Sequence, residues 1–349
     1  MAYTTINKST DYFNTKLYTG NGSTNAITGV GHQPDLVWLK ERSSAGAGLL
    51  FDAVRTATKF VRSSDSAAEV TAADTLTAFN SDGFTLGADA GNYAANQNSE
   101  TYASWNWLAN GAGSANTDGT ISSTVSANTT SGFSIVSYTG TGANATVGHG
   151  LGSVVKMFFV KELSNANSWE VYHVSEGAGK NAQLNSNAAF ESAGSSRWNS
   201  TAPTSTTISI GTDSGVNRSS GNYIAYCFAE KTGYSKFGSY IGNGNADGTF
   251  VYTGFKPAFV IIKSSSQAET NWVVVDNKRE GYNPDNDRLF PDSTQAESTS
   301  DVVDLVSNGF KFRSGAGSSN ATYSYIYMAF AEEPLVANSG TDGVPATAR

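Results

Sequence analysis

The chain contains one sequence pattern three times at a nearly constant spacing. Each copy begins with an aromatic strand and a glycine turn, continues through an apolar run that ends in lysine, and finishes in a second aromatic strand. The tyrosines that mark the first and last strands lie 84, 85 and 85 residues apart, as the pairs Tyr18 and Tyr102, Tyr138 and Tyr223, and Tyr240 and Tyr325. A period of about 100 residues exceeds the solenoid range and matches one β-sandwich domain. The pattern therefore predicts three tandem domains.

The composition favours strands over helices. Gly, Ser, Thr and Asn are abundant, and helix-forming residues are scarce. The runs at 36–40, 157–161 and 259–263 are continuously apolar up to the lysine, as in strands covered on both faces. We predict an all-β chain of three tandem β-sandwich repeats, of a jelly-roll or lectin-like type, each of about 100 residues.

Shifts in composition divide the chain into six parts. These are an N-terminal arm (1–12), repeat 1 (13–110), a Gly/Ser/Thr linker (111–131), repeat 2 (132–232), repeat 3 (233–334) and a C-terminal tail (335–349). We expect the linker to be flexible and the tail to be extended or disordered. Repeat 1 should then have more freedom than repeats 2 and 3, which adjoin directly.

The last strand of each repeat has a bulky face and a small face. In repeat 2, for example, Ile224, Tyr226 and Phe228 alternate with Ala225 and Cys227. Side chains alternate between the two faces of a strand. We expect the bulky face to lie against the core within its own sandwich.

The charge balance argues against two classes of partner. The chain has 22 basic and 30 acidic residues and a formal net charge of −8, so phosphate backbones and anionic membranes should repel it. No apolar stretch approaches the ~18 residues that span a bilayer, and no secretory signal opens the chain. We expect synthesis in a cytoplasm, no nucleic-acid partner and no membrane insertion.

Residues that could carry catalysis are few and scattered. His32 and His149 lie in glycine turns without a consistent carboxylate or serine partner, and turn or surface positions explain them. Cys227 is the single cysteine and should be a buried core residue, which excludes a thiolate metal site. Nucleotide-binding and hydrolase motifs are absent. We predict no enzyme activity, no catalytic residue and no cofactor.

Acidic residues near strands and turns offer weak alternatives. Glu41 and Glu162 follow the recurring lysines, but repeat 3 has Ser264 there, so we expect solvated strand ends. The stretches 243–248 and 283–287 have the alternating oxygen side chains of calcium loops, yet neither has the glutamate that completes an EF-hand. Turn chemistry explains both stretches, and we predict no metal site.

Four residues could face a ligand. Trp169 and Trp272 occupy related positions at strand starts, either in the core or as a platform for a sugar ring. Asp276 and Arg279 recur as Asp52 and Arg55 in repeat 1, either as a structural salt bridge or as a ligand clamp. The core and the salt bridge are the favoured interpretations, and a ligand-facing position is the alternative for each.

Several long segments resemble a known group. These are Asp11–Gly22, Gln33–Arg42, Ser81–Leu86, Tyr226–Lys231 and Gly254–Val260. They resemble repeat domains of virion proteins from tailed phages of marine bacteria, notably phages of cyanobacteria and of oceanic alphaproteobacteria. The resemblance covers nearly the whole chain, although repeat 2 has Val155 where the others have Pro34 and Pro257.

The resemblance implies a structural protein on the exterior of a phage particle. We expect a non-enzymatic virion surface protein, a head decoration or an appendage, that adheres weakly to host surface glycans. Its partners would be other capsid or tail proteins and a host glycan, and a homo-oligomer is compatible with this role. A tail fibre or receptor-binding protein is the first alternative. A polysaccharide depolymerase, with carboxylates from loops of adjacent repeats, is an alternative of another class.

Overall fold

The computed structural model describes residues 4–280, 283 and 287–334. The tail at 335–349 lies outside the described residues. Within them the chain is all-β, as predicted, with six sheets. The helical segments there are a 3₁₀ turn at Ser9–Asp11 and one short helix.

Repeat 1 forms a larger and a smaller sheet. The larger sheet has the order β1-β9-β3-β4-β5-β6 and the smaller β2-β8-β7. The strands are β1 (Phe13–Thr19), β2 (Asn25–Thr28), β3 (Leu36–Glu41), β4 (Leu49–Asp52), β5 (Lys59–Arg62), β6 (Val70–Thr71), β7 (Leu76–Asn80), β8 (Gly83–Leu86) and β9 (Thr101–Trp107).

The segment 111–131 is not a flexible linker. It forms β10 (Ser114–Asn116) and β11 (Ser123–Asn128), and β11 pairs with the first strand of repeat 2. Serine and threonine suit a half-exposed strand as well as a linker, and Val125 buries its side chain on the inner face. The expectation was wrong because composition alone does not separate these two cases.

Repeat 2 has the largest sheet, with the order β10-β11-β12-β19-β14-β15-β16-β17, and a smaller pair β13-β18. Its elements are β12 (Phe133–Thr139), β13 (Ala145–Gly148), β14 (Val155–Glu162), β15 (Glu170–His173), β16 (Lys180–Gln183), β17 (Glu191–Ser192), β18 (Thr207–Ile210), α1 (Ser214–Asn217) and β19 (Asn222–Ala229).

Repeat 3 has a larger sheet β20-β26-β22-β23 and a smaller sheet β21-β25-β24. Its strands are β20 (Ser235–Ile241), β21 (Phe250–Tyr252), β22 (Pro257–Ser264), β23 (Val273–Asp276), β24 (Val303–Val306), β25 (Gly309–Phe312) and β26 (Ser324–Ala331).

The three larger sheets share one pairing pattern. The last strand of each repeat lies between the first strand and the long apolar strand, as in β1-β9-β3, β12-β19-β14 and β20-β26-β22. The marker tyrosines are direct cross-strand partners and stack with ring centroids 4.9, 5.1 and 5.0 Å apart. The constant spacing in the sequence therefore reflects a constant strand register.

The bulky face of each last strand does not pack against the smaller sheet of its own repeat. Trp105, Tyr226 and Phe330 belong to one central cluster to which all three repeats contribute. The small face, with Ala225 and Cys227 in repeat 2, lies in a second cluster that is formed by that repeat together with Ile121 and Val125 of the preceding segment. Large side chains fill the space between repeats, so repeat 1 packs on the other two and the expected freedom of repeat 1 is wrong.

Candidate functional site

The repeats contact one another in cyclic order. The amide of Glu69 in repeat 1 donates to the carbonyl oxygen of Leu163 in repeat 2, at 3.0 Å. An equivalent main-chain hydrogen bond joins repeat 2 to repeat 3, and another joins repeat 3 to repeat 1, with similar lengths. Those two bonds are Phe190 N to Ser265 O (3.1 Å) and Glu297 N to Arg42 O (2.9 Å). The single chain therefore has the contacts of a cyclic trimer, with the same interface repeated three times.

The recurring lysines lie in these interfaces. Each buried ammonium group donates to a main-chain carbonyl of the neighbouring repeat, and burial lowers the pKa of each to about 8. The pairs are Lys40 with Gln295 (2.8 Å), Lys161 with Ser66 (3.4 Å) and Lys263 with Asn187 (3.1 Å). The lysine that closes each apolar run is thus a contact between repeats.

Both tryptophans considered as sugar platforms lie in the same interfaces. Trp169 and Trp272 are completely buried. The indole of Trp169 donates to the carbonyl of Arg62 at 2.6 Å, and that of Trp272 donates to the carbonyl of Gln183 at 3.0 Å. Neither ring faces solvent, so the structure fits the core interpretation and we do not assign them to a ligand.

Asp276 and Arg279 form a buried ion pair, with Arg279 Nε 2.8 Å from the Asp276 carboxylate. The same carboxylate accepts a hydrogen bond from the indole of Trp105, in repeat 1, at 3.0 Å. Asp52 in repeat 1 accepts equivalent bonds from Arg55 and from the Tyr226 hydroxyl of repeat 2. Both Asp–Arg pairs therefore fit the interpretation as structural salt bridges, and neither pair is open to a ligand.

Repeat 2 has His173 at the position of these aspartates. The imidazole is completely buried. Its Nδ1 accepts from the amide of Ser175, so Nε2 carries the proton and donates to the carbonyl of Tyr327 at 3.2 Å. Burial lowers the pKa of His173 to about 4, against the opposing effect of the bond to Tyr327. The contact between repeats 2 and 3 is therefore built around a neutral histidine.

The presence of His173 in place of an aspartate predicts that the stability of the protein depends on pH. Because the folded pKa lies below the ordinary 6.5, the contribution of His173 is complete above pH 6.5 and is lost as the pH falls toward 4. The stability lost through this titration is at most about 3 kcal/mol, which is the free-energy equivalent of the pKa shift. We expect the His173→Gln variant to lose less stability than the natural chain between pH 7 and pH 4.5, measured by denaturant unfolding. Parallel curves for the two proteins would contradict this assignment.

A polar cleft of about 520 Å³ opens on repeat 1 beside a loop of repeat 3. The ring of Tyr93 lies on one wall, with the guanidinium carbon of Arg62 6.0 Å from its centroid. Thr294 contributes the rim from repeat 3. The main polar side chains of the lining are Glu41, Ser44, Arg62, Asn98 and Glu100.

The floor of the cleft carries two neighbouring carboxyl groups. Glu41 is 2% exposed and accepts a hydrogen bond from the Ser44 hydroxyl. Burial raises the pKa of Glu41, and Glu100 raises it further. The Ser43 hydroxyl donates to Glu100 at 2.5 Å. Glu41 is therefore not a solvated strand end but one of two neighbouring carboxyl groups, each of which is held by a serine hydroxyl.

The other repeats close the equivalent position. Glu162 is completely buried, and its carboxylate accepts hydrogen bonds from Asn165, Asn167 and Arg218. Burial would raise the pKa of Glu162, but these three partners outweigh it and lower the pKa. In repeat 3 the hydroxyl of Ser264 accepts from the amide of Gln267 at 3.2 Å and donates to the carbonyl of Ser324 at 3.4 Å. Repeat 1 thus differs from the others in presenting its carboxyl pair to an open cleft.

Part of the cleft wall has strained backbone. Asn92 and Ala94 have positive φ angles of 55° and 66°, and Asp89 and Ser99 nearby have 52° and 68°. The Asp89 carboxylate holds the segment by accepting from the amides of Tyr93 and Ala95. Left-handed backbone at residues other than glycine is uncommon and concentrates at functional loops.

Sequence reasoning did not single out this cleft. Tyr93 and Glu100 belong to a segment that differs between repeats, and alignment on the last tyrosine puts Gly221 and Tyr323 at the position of Glu100. The available signal in the sequence was that repeat 1 has an acidic residue, Glu100, where the other two repeats have none.

The remaining sequence predictions concern the cysteine, two histidines and the two stretches that resemble calcium loops. Cys227 is buried, as expected. His32 and His149 lie in turns but are buried rather than at the surface. In the stretch 243–248 the Asn243 side chain bonds within the turn, while 283–287 lies largely outside the described residues. In the described part of the chain no group of three His, Cys, Asp or Glu residues is placed to hold a metal ion.

Comparison with known proteins gives one family. A family model described as a domain of unknown function (DUF7483) matches residues 8–334. No curated protein and no solved structure matches the chain. Among the described residues, no helix has the length and apolar character needed to cross a membrane.

Proposed function

Because this chain belongs to the DUF7483 family, whose description assigns no function, we propose its role from its own residues. We propose a non-enzymatic structural protein of a virion surface, built of three β-sandwich repeats, that binds host surface glycan through the cleft of repeat 1. The observation that carries the glycan part is the cleft itself, which combines an aromatic ring, a guanidinium group, amides and carboxyl groups on a rigid wall.

The chemistry of the cleft favours a neutral glycan. Sugars present hydroxyl groups to carboxylates and amides and an apolar ring face to an aromatic side chain. Glu41 and Glu100 would repel a uronic acid, and Arg62 is already shared with Asp65 at 3.4 Å. We therefore expect the cleft to discriminate against acidic polysaccharides.

Replacing Tyr93 by alanine should weaken binding to the neutral probes laminarin or mannan roughly tenfold, which corresponds to ~1.4 kcal/mol of lost stacking. Glu100→Gln should weaken it as well, while alginate should bind poorly to every form. Biolayer interferometry with the immobilised full chain measures this. Tyr252→Ala is the matched control, because Tyr252 is 60% exposed but lies in repeat 3. Equal losses in Tyr93→Ala and Tyr252→Ala would exclude the cleft.

The central cluster to which all three repeats contribute supports the proposed role as a structural protein of the virion. Three fused repeats with repeated contacts can occupy a threefold or quasi-threefold position on a capsid, where the partners would be other virion proteins. Immunogold labelling of intact particles tests this. Gold over the head supports a decoration protein, gold confined to the tail supports the alternative of a fibre or receptor-binding protein, and unlabelled particles contradict both.

A depolymerase is the alternative from another class, and the Glu41–Glu100 pair is the observation in its favour. However, Glu41 is 2% exposed, and each carboxyl group already accepts a hydrogen bond from a serine hydroxyl, which occupies one of the oxygens that a catalytic acid or nucleophile would use. This arrangement favours binding over hydrolysis. Release of new reducing ends from laminarin or mannan, abolished by Glu41→Gln, would reverse this conclusion.

A further inference from the structure

The loop that follows the recurring lysine differs between the repeats at one position, three residues before the next strand. This position is Gly46 in repeat 1, Asn167 in repeat 2 and Thr270 in repeat 3. In repeat 2 the Asn167 amide donates to Oε2 of Glu162. In repeat 3 the Thr270 hydroxyl accepts from Lys263 Nζ at 3.3 Å. Repeat 1 alone has no side chain at this position.

The main chain of Gly46 is held on both sides. Its amide donates to the carbonyl of Thr294 at 2.9 Å, and its carbonyl accepts from Lys40 Nζ at 2.6 Å. A β-carbon added to Gly46 would lie 2.6 Å from Oε2 of Glu41 and 2.6 Å from the β-carbon of Ala94. Both distances are far below van der Waals contact. Only glycine therefore lets the main chain lie this close to the carboxyl group.

Repeat 2 has the reverse arrangement of side chain and glycine. Ala94 corresponds to Gly215, because in both repeats the carbonyl of the next residue accepts the hydroxyl of the first marker tyrosine. The Asn167 amide lies 3.4 Å from the carbonyl of Ser214, so its side chain passes beside that glycine. The Ala94 methyl group is much smaller than an asparagine side chain. Repeat 1 therefore leaves part of the space that Asn167 fills in repeat 2 to the cleft.

The two equivalent glutamates consequently differ in their hydrogen-bond donors. Glu162 accepts from an asparagine amide at each of its oxygens, and Asn167 is the donor at Oε2. Glu41 has a donor at Oε1, the Ser44 hydroxyl, but Gly46 has no side chain that could donate to Oε2. A carboxylate oxygen accepts hydrogen bonds, and a ligand hydroxyl is a suitable donor.

We propose that a hydroxyl group of the glycan takes the place of the Asn167 amide at Oε2 of Glu41, and that Gly46 is the specificity-determining residue that keeps this place free. The inference rests on the proposed function and adds the contact by which the cleft selects its ligand. A neutral sugar donates a hydrogen bond here, whereas the carboxylate of an acidic sugar brings only another acceptor. Lys40 supports the contact by holding the main chain of Gly46.

Transfer of the repeat 2 arrangement to repeat 1 tests this proposal. The double variant Gly46→Asn with Ala94→Gly supplies the amide and removes the methyl group in its path. Its affinity for laminarin or mannan should be at least about tenfold lower than that of the Ala94→Gly single variant. Biolayer interferometry with the immobilised full chain measures both. Equal affinities of the two variants would overturn the proposal.

Thr270→Asn is the matched control, because it changes the same position in repeat 3, away from the cleft. We expect it to bind with the affinity of the natural chain. A loss as large as that of the double variant would mean that loosened contacts between repeats weaken binding, and would contradict the role of Gly46.

A second measurement does not depend on the glycan. Burial raises the pKa of Glu41; it would also raise the pKa of Glu162, but the three side-chain donors of Glu162 outweigh it and lower that pKa. NMR titration of the ¹³C-labelled carboxyl group should therefore give a lower pKa for Glu41 in the double variant than in Ala94→Gly. An unchanged pKa would show that the new amide does not reach Glu41, against the proposal.

The failure of this inference can be distinguished from the failure of the proposed function. A natural chain that binds neither laminarin nor mannan would reject the glycan function itself. A natural chain that binds, together with a double variant that binds equally well, would reject only the role of Gly46.

Discussion

Replacement of Trp107 by alanine should lower the free energy of unfolding by about 3–5 kcal/mol and loosen all three repeats together. The Trp107 ring contacts aromatic rings from every repeat, so the cavity would open at the junction itself. These contacts are with Phe13 (4.9 Å), Phe133 (6.3 Å), Phe228 (6.2 Å), Phe259 (5.7 Å) and Phe330 (5.8 Å) between ring centroids. Denaturant unfolding gives the magnitude, and hydrogen exchange gives its distribution along the chain.

Trp107→Phe is the control for this prediction. The Trp107 indole nitrogen has no hydrogen-bond partner among the described residues, so phenylalanine loses volume but no polar contact. Its cost should be clearly smaller than that of alanine. If Trp107→Ala accelerated amide exchange in repeat 1 alone, the repeats would be independent domains and the shared core would not determine stability.

Removal of the Asp276 carboxylate should cost about 3–5 kcal/mol, because it takes one of two carboxylates from a buried guanidinium group and the acceptor from a buried indole. Asp276→Ala deprives both Arg279 Nε and the Trp105 indole of their acceptor, although Arg279 keeps Glu297 at 2.9 Å. The loss would therefore appear in repeat 3 and at its contact with repeat 1. Denaturant unfolding of the full chain measures it.

The control for this prediction is a variant in which Asp276, Arg279 and Trp105 are all replaced. Apolar replacement of all three groups, as Asp276→Leu with Arg279→Met and Trp105→Phe, should restore most of the lost stability because the buried guanidinium and indole groups are removed with their acceptor, and Glu297 keeps its ion pair with Arg42. Repeat 2 already uses a set without an ion pair, with His173 beside repeat 3. A triple variant as unstable as Asp276→Ala would show that the shape of the interface, rather than desolvated charge, sets the cost.

The strand framework could be predicted from the sequence. The tyrosine spacing corresponds to a strand register, and the apolar runs that end in lysine are buried strands, because these patterns depend on local periodicity and on turns. The burial of Cys227 followed from the same periodicity. Composition misjudged 111–131, since serine and threonine are compatible with both a linker and an edge strand.

Tertiary structure alone decided what each face of those strands contacts. A bulky face such as that of Ile224, Tyr226 and Phe228 requires an apolar partner, but the sequence does not say whether the partner is the same repeat or another. The same limit applies to the cleft. Glu41 and Glu100 are 59 residues apart, and only the pairing of β3 with β9 brings their carboxyl groups together. Local patterns fix strands and turns, whereas contacts between distant segments fix cores and sites.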